Sequence, residues 1–297
     1  MFFALTIAFW LFVVWNLYFY IAYRARNVSG KVVLITGGGS GIGRKMALRF
    51  AKLGARIVLW DVNKEGLAKV ASEITALGGK ASTNVVDVSD RELVYKTAKE
   101  VGNIDILINN AGIVTGKNIL DSPDHLLEKT VQVNTISHFW TIKAFLPNMV
   151  KNNEGHIVTI ASAAGLTGVA GLVDYCASKF GAYGTAESLY MEVRKRGWNI
   201  KTTVVCPFYI NTGMFDGAKT RFSWLLPILD EDYATDRIVL AIRRGEEQLN
   251  MPRMISITPI ARILPNCWAA RLMEFLGASD SMDDFKGRAA TAAKKTN

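Results

Sequence analysis

The sequence predicts an α/β fold, a doubly wound parallel sheet in one domain behind an N-terminal apolar segment, and three observations predict it. A continuous apolar run, Lys31-Val32-Val33-Leu34-Ile35, leads into a glycine-rich turn, Thr36-Gly37-Gly38-Gly39-Ser40-Gly41-Ile42-Gly43, and then into helical apolar spacing at Met46, Ala47, Phe50 and Ala51. Strand-like and helix-like stretches alternate from there to about residue 256. The residues able to do chemistry fall at the C-terminal ends of those strands or on a facing helix, where open parallel sheets hold ligands.

Residues 2–23 carry no charge and hold ten of the chain's thirty aromatic residues. As a helix they span about 33 Å, against a bilayer hydrocarbon core of about 30 Å. Arg24 and Arg26 follow at once, which by the positive-inside tendency leaves the rest of the chain in the cytosol. A cleaved signal peptide fits less well, because a basic start and a small-residue cleavage site are missing. Trp10 and Trp15 fall mid-segment rather than at its ends, so a helix lying in one leaflet or on a lipid-droplet surface competes with a spanning one. Segment 1–23 reads as a membrane anchor and 24–30 as a linker.

The run at 31–35 is apolar on both faces, as a strand buried between two helix layers must be. A glycine turn between strand and helix lets backbone approach a pyrophosphate, and the helix N-terminus favours its negative charge. A second strand, Arg56 to Trp60, ends at Asp61, eighteen residues past Gly43. An acid there accepts the hydroxyls of an adenosine ribose and repels a 2′-phosphate. Neither Ser40 nor Val62 supplies a cation for such a phosphate, and Arg44 and Lys45 head the helix, so the pattern favours NAD over NADP. A helix near 64–77, a strand ending at Asp87 and a helix opened by a Ser89–Glu92 capping box follow. Next come a strand at Ile104–Ile108, the segment Asn109-Asn110-Ala111-Gly112, and one long helix capped by Ser122-Pro123 that runs to about Val150 with Asn134 inside it. Gly155 to Ile160 is a buried strand ending at Ser162, and Lys201 to Cys206 is a sixth. A helix near 231–244 and a strand near 249–256 complete the sheet.

Half of the residues are apolar, enough for a sizeable core. Cys176, Cys206 and Cys267 are widely spaced, as reduced thiols are, and no Cys/His cluster has metal spacing. A net charge of +9 fits nucleic acid or an anionic membrane surface. No nucleic-acid motif accompanies it, and the apolar N-terminus favours the membrane.

Between the fifth and sixth strands lies the stretch that carries the chemistry. Tyr175 and Lys179 stand four apart, on one face of a helix, and Ser162 lies thirteen residues upstream of Tyr175 at a strand end. A free phenol has a pKa of about 10, too high for a base near neutrality. An ammonium about 4 Å away, at an effective dielectric of about 20, would favour phenolate by about 4 kcal/mol, roughly three pKa units. Ser162 would hold a substrate oxygen beside that phenol.

Taken together, Thr36-Gly37-x-x-x-Gly41-x-Gly43, Asn109-Asn110-Ala111-Gly112, Ser162, Tyr175-x-x-x-Lys179 and Pro207-x-x-x-x-Thr212 resemble the short-chain dehydrogenase/reductase family over about 31–256. Leu59-Trp60-Asp61, Asn109 to Lys117, Asp174 to Lys179 and Thr202 to Met214 look like its membrane-associated retinol and 17β-hydroxysteroid dehydrogenase branch. The resemblance implies a Rossmann fold and a dinucleotide-binding catalytic domain at 31–256. It implies that Tyr175 is the general acid/base, that Lys179 lowers its pKa and binds the nicotinamide ribose, that Ser162 orients the substrate oxygen, and that Asn134 holds a water in a proton relay. On the cofactor side it implies Gly37, Ser40, Gly41, Ile42 and Gly43 at the pyrophosphate turn and Asp61 at the adenine ribose. Asp87 would lie near the adenine, Asn109 along the cofactor, and Thr212 against the carboxamide. Phe208 replaces the glycine usual after the family's proline. The segment from Asp87 to Asn109 is shorter than in relatives by about one helical turn, which would loosen the fourth helix or a helix-mediated homodimer contact.

Met214 to Pro227 is apolar for a loop, and the resemblance implies that it covers substrate. In 257–297, Ile260, Ile263, Leu264, Trp268, Leu272, Phe275 and Leu276 recur at helical spacing beside Arg262 and Arg271, as in a helix packed on the core or one resting on a membrane. Lys294-Lys295-Thr296-Asn297 resembles a di-lysine endoplasmic-reticulum retrieval signal, with a solvated basic tail as the alternative. These readings lead to an NAD-dependent oxidoreductase of a lipophilic alcohol, on the endoplasmic reticulum or a lipid droplet, with retinol to retinal ahead of hydroxysteroid to ketosteroid. A lipid-droplet binding protein that keeps the fold without turnover is the rival of another class.

Overall fold

The computed structural model describes residues 24–278 and 280–287, with Thr6 and Trp10 as separate helical positions. The rest of the expected anchor and the basic tail at 288–297 lie outside the described residues. Among the described residues no helix is long and apolar enough to cross a membrane.

Seven strands form one parallel sheet: β1 (Val32–Thr36), β2 (Arg56–Asp61), β3 (Lys80–Val85), β4 (Ile106–Asn109), β5 (Gly155–Ile160), β6 (Ile200–Pro207) and β7 (Gln248–Met251), in the order β3-β2-β1-β4-β5-β6-β7. The chain moves outward from β1 to β3, then returns to pair β4 on the other side of β1, with Leu34 between Val58 and Leu107. That reversal opens a crevice at the strands' C-terminal ends. Helices α1 (Gly41–Lys52), α2 (Lys64–Ala76) and α7 (Glu231–Arg244) bury Phe50, Ile74 and Ile238 on one face of the sheet. On the other, α3 (Arg91–Val101), α5 (Ser137–Lys151) and α6 (Val173–Arg196) bury Val94, Phe145 and Val193 against Trp60 and Leu107. A fully buried apolar side chain of that size contributes about 1.5–3 kcal/mol, so the two layers fix the sheet.

Four local expectations are corrected. The cap of α3 is Asp90, which accepts from Leu93 N at 3.0 Å, while the Ser89 hydroxyl donates to Asp87 instead. Ser122 does not cap the helix that follows: its hydroxyl donates backward to the Asn118 carbonyl. The single helix expected at 123–150 is α4 (Asp124–Val131), a wide π turn (Gln132–Ile136) and then α5. Finally, β7 stops at Met251 because Pro252 has no N–H for the ladder, and a 3-10 turn, Arg253–Ile257, takes over.

The linker is fastened to the domain. Arg26 N donates to the Arg243 carbonyl, Arg243 Nε donates back to the Arg26 carbonyl, and Val28 is buried in the core. The C-terminal region holds two short helices, α8 (Thr258–Ala261) and α9 (Asn266–Phe275), separated at Pro265, rather than one. A final strap, 280–287, crosses the domain.

Candidate active site

At the crevice the first turn is built from backbone. Gly37 has φ +66°, and a Cβ there would meet Ala111 Cα at 2.9 Å. A Cβ on Gly43 would lie 2.1 Å from the Gly37 carbonyl oxygen, so only glycine closes this turn onto the start of α1. The Thr36 hydroxyl accepts from Asn110 N and Ala111 N, and Asn110 Nδ2 donates to the Thr36 and Gly37 carbonyls, stapling the end of β1 to the exit of β4. Gly37, Ser40, Ile42 and Gly43 line a cavity of about 690 Å³; Gly41, with φ +52°, shapes the turn without lining it.

Asp61 lines the same cavity at the end of β2. Its two oxygens accept Gly39 N and Asn63 N, each at 2.9 Å, so the acid also fixes the glycine turn. Asp87 lies further along. Burial alone would raise its carboxyl, but Lys129, at 2.8 Å, and Ser89 hold it below the ordinary range. Lys129 lines the cavity beside it, and no local spacing in the sequence marks that pairing across forty-two positions. Asn109 is turned into the core, where Oδ1 accepts from the Thr141 hydroxyl at 2.8 Å. Its neighbour Asn110 lines the cavity in its stead.

The Ser162, Tyr175 and Lys179 side chains meet in that same cavity. The Ser162 hydroxyl lies close enough to the Tyr175 phenol to pull its pKa down and accepts from Ala164 N at 3.1 Å. Lys179 Nζ donates to the Ile160 carbonyl at 2.9 Å and lies 5.7 Å from the centroid of the Tyr175 ring. The π turn carries Asn134 inward. Its amide accepts from Ile113 N and donates to the Ile113 carbonyl and the Ser178 hydroxyl, all at 2.9 Å. Asn134 Oδ1 and Lys179 Nζ flank Gly112, whose Cβ would stand 3.3 and 3.6 Å from them. A π turn at a functional residue is a recurring device, since the extra residue redirects one side chain without ending the helix.

The expected lowering of the Tyr175 phenol is not what the protein chain by itself produces. Burial pushes it above its ordinary value, against the downward pull of the Ser162 hydrogen bond. Burial also brings Lys179 down to about 8. Both groups are at least nine-tenths buried, Tyr175 among Leu172, Tyr209 and Phe215, and desolvation outweighs the attraction expected at about 4 Å. His138, buried on α5, is driven down to about 3 by burial and by the charge of Lys179, so it stays neutral beside the site.

The far end of the cavity is aromatic. Phe215 packs edge-on to Tyr175 at 5.5 Å between centroids, Tyr209 lies 5.1 Å from Phe215, and Phe208 lies 4.7 Å from Tyr209. The strap roofs this group. Met282 is buried in the same cluster, and Tyr209 and Ser281 share a hydroxyl–hydroxyl bond of 3.1 Å. Lys219 N donates to the Ser281 carbonyl and Lys286 N to the Asp216 carbonyl. Thr212 lines the cavity between the two ends.

The turn, the helix start behind it and the acid beyond form a cradle that a Cβ would fill, and they fit a dinucleotide. The short chain dehydrogenase family matches residues 31–221. The chain belongs to that family. Mouse epidermal retinol dehydrogenase 2 is 50% identical over 281 residues, 92% of this chain and 90% of the relative. Human estradiol 17-beta-dehydrogenase 11 is 43% identical over 259 residues, 85% of each. Among solved structures, a short chain dehydrogenase/reductase from Burkholderia phymatum in complex with NAD aligns with TM-score 0.71 at 26% identity, covering 80% of this chain and 94% of that one. A metagenomic short-chain oxidoreductase in complex with NADP aligns at 0.65 and 28%, covering 76% and 98%. This short-chain dehydrogenase is an NAD(P)-dependent oxidoreductase, and its sheet is the expected Rossmann-like one.

Proposed function

We propose that this short-chain dehydrogenase interconverts a lipophilic alcohol and its carbonyl with NAD(H), with all-trans-retinol and retinal ahead of a 17β-hydroxysteroid pair. The observation that carries the reading is a single cavity that joins the glycine turn and Asp61 at one end to Ser162 and Tyr175 beneath an aromatic roof at the other. Bound nicotinamide supplies the hydride acceptor for oxidation and the donor for reduction. In oxidation Ser162 holds the alcohol oxygen and Tyr175 takes its proton, while the charge of Lys179 favours the phenolate. Asn134, braced by Ile113 and Ser178, sits beside Lys179 where a relay water would link that proton to solvent. Thr212 and Asp87 would hold the carboxamide and adenine ends.

NAD is favoured because the two cations heading α1 are engaged elsewhere. Arg44 pairs with Glu73 at 2.7 Å, and Lys45 with Asp232 at 2.8 Å, which leaves Asp61 to meet the ribose. The relatives' names support retinoid over steroid by the higher identity, 50% against 43%. A non-catalytic lipid binder would have no use for a Ser/Tyr/Lys set brought into one cavity. The uncharged segment 2–23 and the arginines after it support attachment to the endoplasmic-reticulum membrane, with the domain facing the cytosol, or to a lipid droplet, and a homodimer belongs to the same reading.

Membranes carrying the full chain are assayed with NAD or NADP and with retinol or estradiol. Tyr175→Phe should lower turnover by about 10³-fold with protein level unchanged. Unchanged turnover overturns the role of Tyr175, faster turnover with NADP overturns the cofactor choice, and a preference for estradiol overturns the retinoid.

A further inference from the structure

The substrate end of the cavity reaches the surface through an apolar rim. Met254, Ile257 and Leu272 line the cavity and are still 43%, 49% and 40% exposed, and Arg262 stands with them. Beyond that rim lie Trp224 and Ile263, both more than four-fifths exposed, with Trp268 and Phe275 about two-thirds exposed. Helix α9 explains the arrangement. Ala269, Met273 and Leu276 line the cavity, whereas Trp268 and Phe275, at i and i+7, form a second apolar face turned outward, with Leu272 on the edge shared by the two. A helix apolar on two sides needs cover on both.

The charge around this face says what covers it. Arg253, Arg262 and Arg271 border it, and Glu274 is the one acid between residues 253 and 275. Arg262 stacks over Phe180 with its guanidinium 5.1 Å from the ring centroid and stays exposed. Aromatic side chains flanked by arginines suit the acyl–headgroup boundary of an anionic leaflet. We propose that α9, the 222–228 loop and the Arg253–Arg262 stretch dock on an anionic phospholipid leaflet, so that the substrate cavity opens into acyl chains rather than water. The inference rests on the reading that the substrate is lipophilic, and it places the substrate's route at the opposite end of the site from the cofactor's.

Cys267 is exposed beside Trp268, whereas Cys176 and Cys206 are buried, so a thiol-reactive NBD dye reports on this face. The full chain labelled there is reconstituted into phosphatidylcholine vesicles with and without phosphatidylserine. Doxyl-labelled lipid should quench the dye, aqueous iodide should not, and phosphatidylserine should strengthen the lipid quenching. Quenching by iodide alone, as for a face in water, overturns the proposal. So does quenching by neither, as for a face covered by a second copy or by segment 2–23. This readout needs no turnover, so an enzyme inactive on retinol but quenched by lipid would sink the substrate reading and leave the docking intact. As a second arm, Trp268→Glu should raise KM for vesicle-borne retinol about tenfold, the order expected for losing one large apolar insertion, while KM for NAD holds. An unchanged KM for retinol overturns entry through this face.

Discussion

The two ends of the cavity are built from different materials. At the cofactor end, main-chain groups do most of the work: the Gly37–Gly43 turn, the carbonyls of Thr36 and Gly37 held by Asn110, and amides of Gly39 and Asn63 held by Asp61. At the substrate end the walls are side chains, Phe208, Tyr209 and Phe215, on the segment that follows the end of β6, roofed by the strap. Backbone positioned by a sheet offers one shape with little freedom, which suits a partner of fixed chemistry. Aromatic side chains on loops select by volume and apolar area, so this end decides which alcohol enters.

Lys179 stands between the ends and belongs to both, so changing it should have the largest effect. Its ammonium is buried, with a pKa of about 8 in the fold against 10.5 in the unfolded chain. Between those values the unfolded chain holds more protons, so stability rises with pH across the window from about 8 to 10.5. Below pH 8 the fold bears the whole cost of the buried charge, roughly 3 kcal/mol. Lys179→Met removes that cost and forfeits one hydrogen bond to the Ile160 carbonyl, worth about 1 kcal/mol. The variant should melt a few degrees higher at pH 7, lose the stability rise between pH 8 and 10.5, and show activity lower by about 10³-fold. A lower melting temperature would mean that the charge holds the two ends together instead of straining the fold between them.

The cofactor end can be tested alone at Gly43. A Cβ there meets the Gly37 carbonyl oxygen at 2.1 Å, backbone against side chain with no flexible atom to yield. Gly43→Ala should push the turn open and weaken NADH binding about tenfold or more, read by titrating the fluorescence of NADH, with a stability loss of about 1–3 kcal/mol from the forced backbone shift. Unaltered binding would show that the turn is less rigid than its contacts require.

What the sequence disclosed follows the same division. The glycine turn, Asp61, and Tyr175 with Lys179 were legible because their signals are local: a spacing, a strand end, a helix face. The helix expected near 231–244 is Glu231–Arg244, since Asp230 caps it and Gly245, at φ +68°, ends it. A local signal also misled where two neighbours offered the same chemistry: Asp90 caps α3 one residue after Ser89. The family resemblance pointed to Asn109, and its neighbour Asn110 is the one that lines the cavity. The π turn at Asn134 was illegible because one extra residue leaves helical apolar spacing almost unchanged. The upward push on Tyr175 was missed because desolvation depends on Leu172, Tyr209 and Phe215 closing around it, a tertiary fact. The strap was missed because its seat consists of atoms that are not there: Gly116 and Gly217 lack the Cβ atoms that Phe285 and the Asp284 carbonyl would strike.

That seat gives the smallest and most selective test of the comparison. Phe285 occupies the notch at Gly116, where a Cβ would come within 2.0 Å of its ring, and its centroid lies 6.4 Å from that of Phe215, which in turn packs on Tyr175. Phe285→Ala removes the roof's wedge while the backbone bonds from Lys219 and Lys286 remain. Because the ring is only partly buried, the stability loss should be about 1–2 kcal/mol, below the 3–5 typical of a fully buried Phe→Ala change. Freed from one side, Phe215 gains room against Tyr175, so KM for the alcohol should rise about three- to tenfold, the loss of roughly 1 kcal/mol of apolar contact. KM for NAD should stay put, because nothing between the strap and the glycine turn is held by Phe285. If both constants rise together, the backbone-built and side-chain-built ends move as one body, and the division of labour drawn between them fails.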